Sequence, residues 1–378
     1  MSNREDFNHS YWEKKTYFSK YDLIVIGSGI VGISSAISFR KKNKKAKILI
    51  IERGILPAGA STKNAGFACF GSAGELLDDL KKTSESTVLE TVEMRWKGLR
   101  ILRNRLGDKN MNYRPIGGYE LFRDPEQYEN TLSEIEQLNI KMNRIISRKD
   151  CFTNVSKKTT FKKVKGILLN KYEGQVDTGL MMRNLQLYAI KNNIFVLNNI
   201  NIFKVKDVGH GVELQSNYGL FVASRVLVAT NGFAKELLDI NDVKPARAQV
   251  LITKPISGLK IKGCYHYDRG YYYFRDIDNR ILLGGGRNLD FETETTTDSS
   301  TNTTIQNKLD QLLKEVILPG QKFEIDGRWT GIMGVGSEKK PIIKFVSKNV
   351  LAAVRMGGMG IAIGSWVGEK AASLISGE

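Results

Sequence analysis

Three glycines and one acid carry the strongest chemical signal in the chain. They are Gly27, Gly29 and Gly32 of Gly27-Ser-Gly-Ile-Val-Gly32, and Glu52, which lies 20 residues after the last glycine. The first glycine permits a tight turn, the second lets backbone approach a pyrophosphate, and the third allows close helix–strand packing. Behind them, the N–H groups of Ile30 and Val31 open a helix whose positive end attracts an anion. Glu52, with Arg53 beside it, is placed to accept hydrogen bonds from an adenosine ribose. Such residues need a frame, and the neighbouring sequence supplies one. An apolar run ending in Val25-Ile26 suits a buried parallel strand, the glycines start a helix, and Ile48–Ile51 suits a second strand. Strand, glycines, helix, strand and acid in that order predict an adenine-dinucleotide site.

Two further segments narrow the nucleotide. Gly59-Ala-Ser-Thr-Lys-Asn-Ala-Gly66 places hydroxyls and flexible backbone close behind the acid. Ser61 and Thr62 can bond a pyrophosphate, and the run that follows Asn64, from Ala65 through Gly66 and Phe67 to Ala68, can pass along an isoalloxazine edge. A nicotinamide dehydrogenase has no use for that loop. Near the other end, Arg355-Met-Gly-Gly-Met-Gly-Ile361 leads into a helix. Reduced flavin carries negative charge around N1 and O2, and the N–H groups of Gly357, Gly358, Met359, Gly360 and Ile361 would stabilise it.

These motifs resemble the D-amino-acid-oxidase-like superfamily of FAD-dependent oxidoreductases over most of the chain, least so in its insertions. The resemblance implies an α/β fold. It combines a Rossmann-type FAD-binding domain on a parallel sheet with an inserted β-rich α+β substrate domain. It implies FAD held noncovalently, because no histidine sits where histidyl-linked members attach it. It places the backbone of Ile202 on the adenine, and the Ala229-Thr230-Asn-Gly232 turn beside the nucleotide. It puts aromatics such as Tyr271 and Tyr273 over the substrate; strand alternation sends these two to one face and Tyr272 to the other. Amino-acid oxidases of the family grip the substrate carboxylate with an arginine in Trp-x-Gly-x-Arg-Pro. Here the segment is Trp329-Thr-Gly-Ile-Met333-Gly334, and methionine takes that position. Arg287, Arg275, Arg269 and Arg355 are the other candidate cations. The expected reaction is oxidation of a C–N bond of an amine or amino-acid derivative. Hydride passes to flavin N5, and oxygen or a quinone accepts the electrons. The alternatives are a 2-hydroxy-acid oxidoreductase, a tRNA-modifying flavoenzyme and a flavin-binding protein without catalysis.

Composition bounds these readings. With 378 residues, 41% of them apolar, the chain exceeds one ordinary core and predicts two domains. The pattern assigns 21–112, 170–242 and 340–378 to the FAD-binding domain, 113–169 and 243–339 to the substrate domain, and 1–20 to an arm whose Tyr11-Trp12 pair is expected to dock on the body. A net charge of +17 raises nucleic-acid binding. The lysines are scattered instead of forming one aromatic-laced stripe, so the charge is read as compositional. The apolar stretch Leu23–Phe39 is interrupted by three glycines and serines, so it is not read as a membrane span. Met1–Lys20 lacks the apolar core of a secretory leader. Three cysteines without metal spacing suit reduced cytoplasmic thiols. Of the three histidines, His9 and His210 are expected in solvent and His266 on a surface strand.

Overall fold

The computed structural model describes residues 8–156 and 161–377. The first seven residues of the expected arm, and Lys157 and Lys158 of the lysine-rich stretch, lie outside the described residues. The chain divides into two units, Met1–Thr62 with Met182–Pro245 and Met333–Glu378, and Lys63–Met181 with Ala246–Ile332. Residues 63–112, expected with the nucleotide-binding pieces, fall in the second unit. Packing is the reason. Helices Ala73–Lys82 and Glu85–Leu106 bury Leu76, Val88 and Val92 in one core with Phe122, Leu138, Met142 and Phe152.

The first unit is built on an eight-stranded sheet. Its main path runs Ile342–Ser347, Val350–Val354, Gly219–Val228, Tyr21–Ile26, Ile48–Ile51 and Phe195–Leu197. From Val350–Val354 to Phe195–Leu197 every neighbouring pair is parallel. Burial on both faces explains why Leu23, Ile24, Val25, Ile48, Leu49 and Ile50 form near-continuous apolar runs. The sequence suggests separate strands at Leu220–Ala223 and Arg225–Ala229. They are one ten-residue strand, Gly219–Val228. Its first half pairs antiparallel with Val212–Ser216, while its second half joins the parallel sheet. Tyr11 and Trp12 do not dock: they are 67% and 69% exposed. Phe18 anchors the arm instead, with its ring 4.9 Å from Phe221 and 4.1 Å from His9. His9 is therefore half-buried and His210 is exposed.

Helices Ile30–Lys42 and Gly360–Ile375 run parallel in close contact. A Cβ on Gly364 would lie 2.8 Å from Ile30 Cγ2, and one on Gly368 would lie 2.5 Å from Ser34 Cβ. Ser34 and Ser365 hydroxyls meet at 3.2 Å. Toward the other end, Lys42 Nζ donates to Ser373 Oγ at 3.1 Å. Small residues at the crossing thus set two helix N-termini side by side.

The second unit is a mixed sheet in the order Ile325–Val335, Lys244–Thr253, Arg280–Gly285, Tyr272–Ile277, Cys264–Tyr267, Gly118–Phe122, Gly166–Asn170 and Phe152–Asn154. One face buries Tyr265, Tyr272, Phe274 and Leu283 against helix Thr303–Leu312. The other carries His266, Tyr273 and Leu282. Among the described residues, no helix is long and apolar enough to cross a membrane.

Candidate functional site

In the first unit the glycine turn has the geometry its sequence requires. Gly27 has φ +104°, and a Cβ there would lie 2.9 Å from Ala229 O. At Gly32 a Cβ would fall 2.0 Å from Gly27 O, a main-chain atom that cannot give way. Gly29 caps helix Ile30–Lys42 without a side-chain acceptor. Ile30 N–H donates to Ser61 Oγ at 3.0 Å, which fixes the loop against the helix start. Glu52 is buried at the end of its strand. Its Oε2 accepts from Ser28 N at 3.0 Å and Ser28 Oγ at 2.7 Å, while Oε1 accepts from Gly54 N at 3.1 Å. Three donors leave a carboxylate with room for another. Ser28, an unassigned position in the motif, is therefore the residue that orients the acid.

The neighbouring candidates divide between open and occupied groups. Arg53 turns to Glu236 at 3.0 Å and lies over the Phe233 ring at 3.9 Å, tying its turn to Asn231–Glu236. Thr62 Oγ1 donates to Pro57 O and Gly59 O, so its proton serves the loop itself. Thr230 Oγ1 is buried without a hydrogen-bond partner, on a residue whose backbone N would lie 3.6 Å from a Cβ on Gly27. Ile202 starts the strand Ile202–Asp207 opposite Ser216. The backbone that lines Glu52 and Gly54 lies just before it, with Ile200 N and Asn199 N donating to their carbonyls at 3.0 Å.

The C-terminal glycine run is held open by its neighbours. Asn231 Oδ1 accepts from Arg355 N and Met356 N, both at 3.1 Å, and Gly357 N donates to Gly334 O at 2.9 Å. Asn231 has φ +50°, a conformation its short polar side chain tolerates. Gly357 faces open space, and a Cβ on Gly358 would meet only Met333 Sδ, at 3.8 Å. Gly232 N would stand 3.0 Å from a Cβ on Gly334. Met359 caps helix Gly360–Ile375 with no side-chain bond, leaving the N–H groups around Ile361 directed outward.

In the second unit, Asn64 Oδ1 accepts from Gly66 N at 2.9 Å and Thr178 Oγ1 at 2.8 Å. Ala65 packs with Val250 and Leu282. Gly66 O accepts from Val176 N at 2.9 Å and from the Arg275 guanidinium, also at 2.9 Å. Tyr273 and Phe67 approach edge-on at 5.6 Å, and Tyr273 fills the space above Gly284. Burial pushes the Tyr273 phenol up to about 12, so its hydroxyl stays protonated at neutral pH. Tyr271 does not share that face: the strand begins at Tyr272, and Tyr271 is exposed with its ring 6.2 Å from Phe291.

Two of the four candidate arginines are committed elsewhere. Arg275 braces Gly66 O and Val176 O, the latter at 2.7 Å. Arg355 pairs with Asp242 and donates from Nε to Lys340 O at 2.8 Å. Arg287 lies over the Phe291 ring at 4.7 Å, and Arg269 is exposed on a turn. His266 is also misplaced by the sequence reading. It is buried, with Nε2 3.6 Å from Glu173 Oε2. Alternation at a strand of mixed Tyr, His and Cys gave no signal of which face was covered. Among the described residues no cluster of His, Cys, Asp or Glu could hold a metal ion.

The first unit fits an adenine dinucleotide with a negatively charged group at its far end: a cradle any Cβ would fill, an oriented acid, an unpaired buried hydroxyl and two adjacent helix N-termini. Comparison with known proteins agrees. Among curated proteins no sequence matches. Solved structures that share the fold include three enzymes. The L-proline dehydrogenase of P. horikoshii is 17% identical at TM-score 0.76, over 95% of this chain and 94% of its own. The glycine oxidase of Geobacillus kaustophilus is 18% identical at TM-score 0.76, over 95% of both chains. The iminodiacetate oxidase of Chelativorans sp. BNC1 is 18% identical at TM-score 0.74, over 94% of this chain and 95% of its own. The sequence itself matches the DAO family, described as FAD dependent oxidoreductase, over residues 22–374. The chain therefore belongs to the DAO family of FAD-dependent oxidoreductases.

Proposed function

We propose that this enzyme oxidises the C–N bond of an amine or amino-acid derivative. When bound, FAD supplies the electron sink, accepting a hydride at flavin N5. The observation that carries the cofactor half is the pair of parallel helix N-termini at Ile30 and Gly360, set side by side by Gly364 and Gly368. The start of Ile30–Lys42 binds the pyrophosphate, with Ser61 Oγ closing the loop over it. Glu52 accepts from the ribose, Thr230 Oγ1 gains its missing partner, and the backbone at Ile202 meets the adenine. Gly357 N and Met359 N serve the turn itself, on Gly334 O and Met356 O, so the N–H groups of Gly358, Gly360 and Ile361 are the ones that stabilise negative charge around N1 and O2. In this reading FAD is held noncovalently.

For the substrate, support comes from the fold neighbours, which act on proline, glycine and iminodiacetate by their names. Tyr273 and Phe67 form an apolar wall that excludes water, and Tyr273 keeps its proton. Met333 places a neutral, polarizable thioether beside Gly358. Arg287 is the candidate grip for a carboxylate, because Arg275 and Arg355 are engaged by internal acceptors. Three buried cysteines that form no disulfide suit a reducing cytoplasm. An anaerobic screen of amines, N-methyl amino acids, D- and L-amino acids and hydroxy acids tests the reading through bleaching of the flavin. Reoxidation by oxygen or by a quinone then identifies the acceptor. Bleaching by hydroxy acids alone would refute the C–N assignment.

A further inference from the structure

We propose that Glu120, Glu173 and His266 form a buried proton-sharing cluster that positions the backbone from Phe67 to Gly74. The segment keeps this geometry while the cluster holds the protons that neutralise it. Its bearing on the cofactor rests on the assignment of Ala65, Gly66 and Phe67 to the flavin.

All three side chains are buried within the second unit. His266 pairs in register with Glu120 on one neighbouring strand and with Tyr273 on the other, so the three stand in one row across the sheet. Their contacts converge on one stretch of chain. Glu173 Oε1 accepts from Phe70 N at 2.9 Å and Gly71 N at 3.0 Å. Glu120 Oε2 accepts from Gly74 N at 2.8 Å. The His266 and Phe67 rings meet edge-on at 5.2 Å. Arg95 completes the hold by donating to Phe70 O at 3.0 Å.

What these groups leave unused defines the cluster. Glu120 Oε1, Glu173 Oε2 and His266 Nε2 are all buried without a hydrogen-bond partner. Buried polar atoms in native proteins are nearly always satisfied, so three together call for a shared proton or a bridging water. Glycines make the room: a Cβ on Gly118 would lie 2.0 Å from Glu173 Oε2, and one on Gly74 would lie 2.4 Å from Glu120 Oε1. Charge balance then sets the proton count. Arg95 is offset by Glu75, 3.5 Å away. Tyr273, Cys69, Cys151, Cys264 and Tyr113, the other titratable groups nearby, are all pushed up by burial and stay neutral. Two carboxylates and one imidazole remain, and as a set they are neutral when two protons are shared among them, as with an imidazolium and one protonated carboxyl. Burial pushes Glu120 up to about 7. Burial pulls the His266 imidazole down, but the Glu173 carboxylate 3.6 Å away and the charges of Glu75 and Glu120 outweigh that and raise it.

The sequence holds three histidines, so His266 is assigned in an NMR titration of the apoprotein by comparison with His266→Gln. The imidazolium should persist above the ordinary histidine midpoint, and Glu120→Gln should lower that midpoint by about one unit. FAD affinity of the wild type, followed by fluorescence, should weaken about tenfold from pH 6 to 9. In Glu120→Gln, permanently neutral at that position, the dependence should shrink to the part that follows the lowered His266 midpoint. An ordinary His266 midpoint that ignores Glu120→Gln overturns the cluster. Identical pH dependence of FAD affinity in both proteins overturns the link to the segment. Failure to bind FAD at every pH would refute the flavin assignment, while the titration still decides the cluster.

Discussion

Replacing Glu52 by Gln separates the acid's work in the fold from its work on the cofactor. The carboxylate receives three hydrogen bonds, from Ser28 N, Ser28 Oγ and Gly54 N. A glutamine offers one oxygen and one NH2 group. With its oxygen toward Ser28, the NH2 faces the Gly54 N–H; reversed, it faces the Ser28 N–H. Either way one donor loses its acceptor, at a cost of about 1–3 kcal/mol, and the surviving bonds lose their charge assistance. The apoprotein should therefore be destabilised by about 2 kcal/mol. The ribose would lose a hydrogen bond to a charged acceptor, worth about 1.5–3 kcal/mol, so the Kd for FAD should rise about 10- to 100-fold. Fluorescence titration of apoprotein with FAD reads the second effect, and denaturant melts without FAD read the first. A lowered stability with Kd within about threefold of wild type would show that Glu52 serves only the turn. If neither quantity moved, the argument from hydrogen-bond geometry would fail altogether.

Three other outcomes follow. Gly32→Ala forces a methyl onto Gly27 O and should cost about 3 kcal/mol, with loss of flavin from the purified protein; normal flavin content would contradict the packing argument. Met333→Arg should leave flavin content unchanged while a simple carboxylate such as benzoate now perturbs the flavin absorbance; an undisturbed spectrum would place Met333 away from the substrate. Stability of the apoprotein should fall as pH rises. Glu120 keeps its proton in the folded state up to about 7, against 4.5 for an unperturbed carboxyl, so the unfolded chain releases its proton first. At one unit per 1.36 kcal/mol this loss reaches about 3 kcal/mol between those values. His266, also raised, extends the decline upward from the ordinary histidine midpoint of 6.5. Melts across this range should flatten in Glu120→Gln, and an equally steep profile in that variant would assign the slope elsewhere.

The sequence by itself determined the nucleotide half. Gly27, Gly29, Gly32 and Glu52 are close in sequence, and short-range sterics and one helix terminus dictate their work. The family follows from the same residues together with the Gly59–Gly66 and Arg355–Ile361 segments. Strand breaks were harder to read: Gly219–Val228 looks like two strands because its halves change partners, and local sequence does not record partners. Tertiary structure alone decided which charges are free. Arg275 and Arg355 look like substrate cations until their acceptors, Gly66 O, Val176 O and Asp242, arrive from distant parts of the chain. His266 looked like a surface residue, yet Glu173 lies within 3.6 Å after a separation of 93 residues. Periodicity reports which face a side chain takes, but only folding decides whether that face meets water, an apolar layer or another charge.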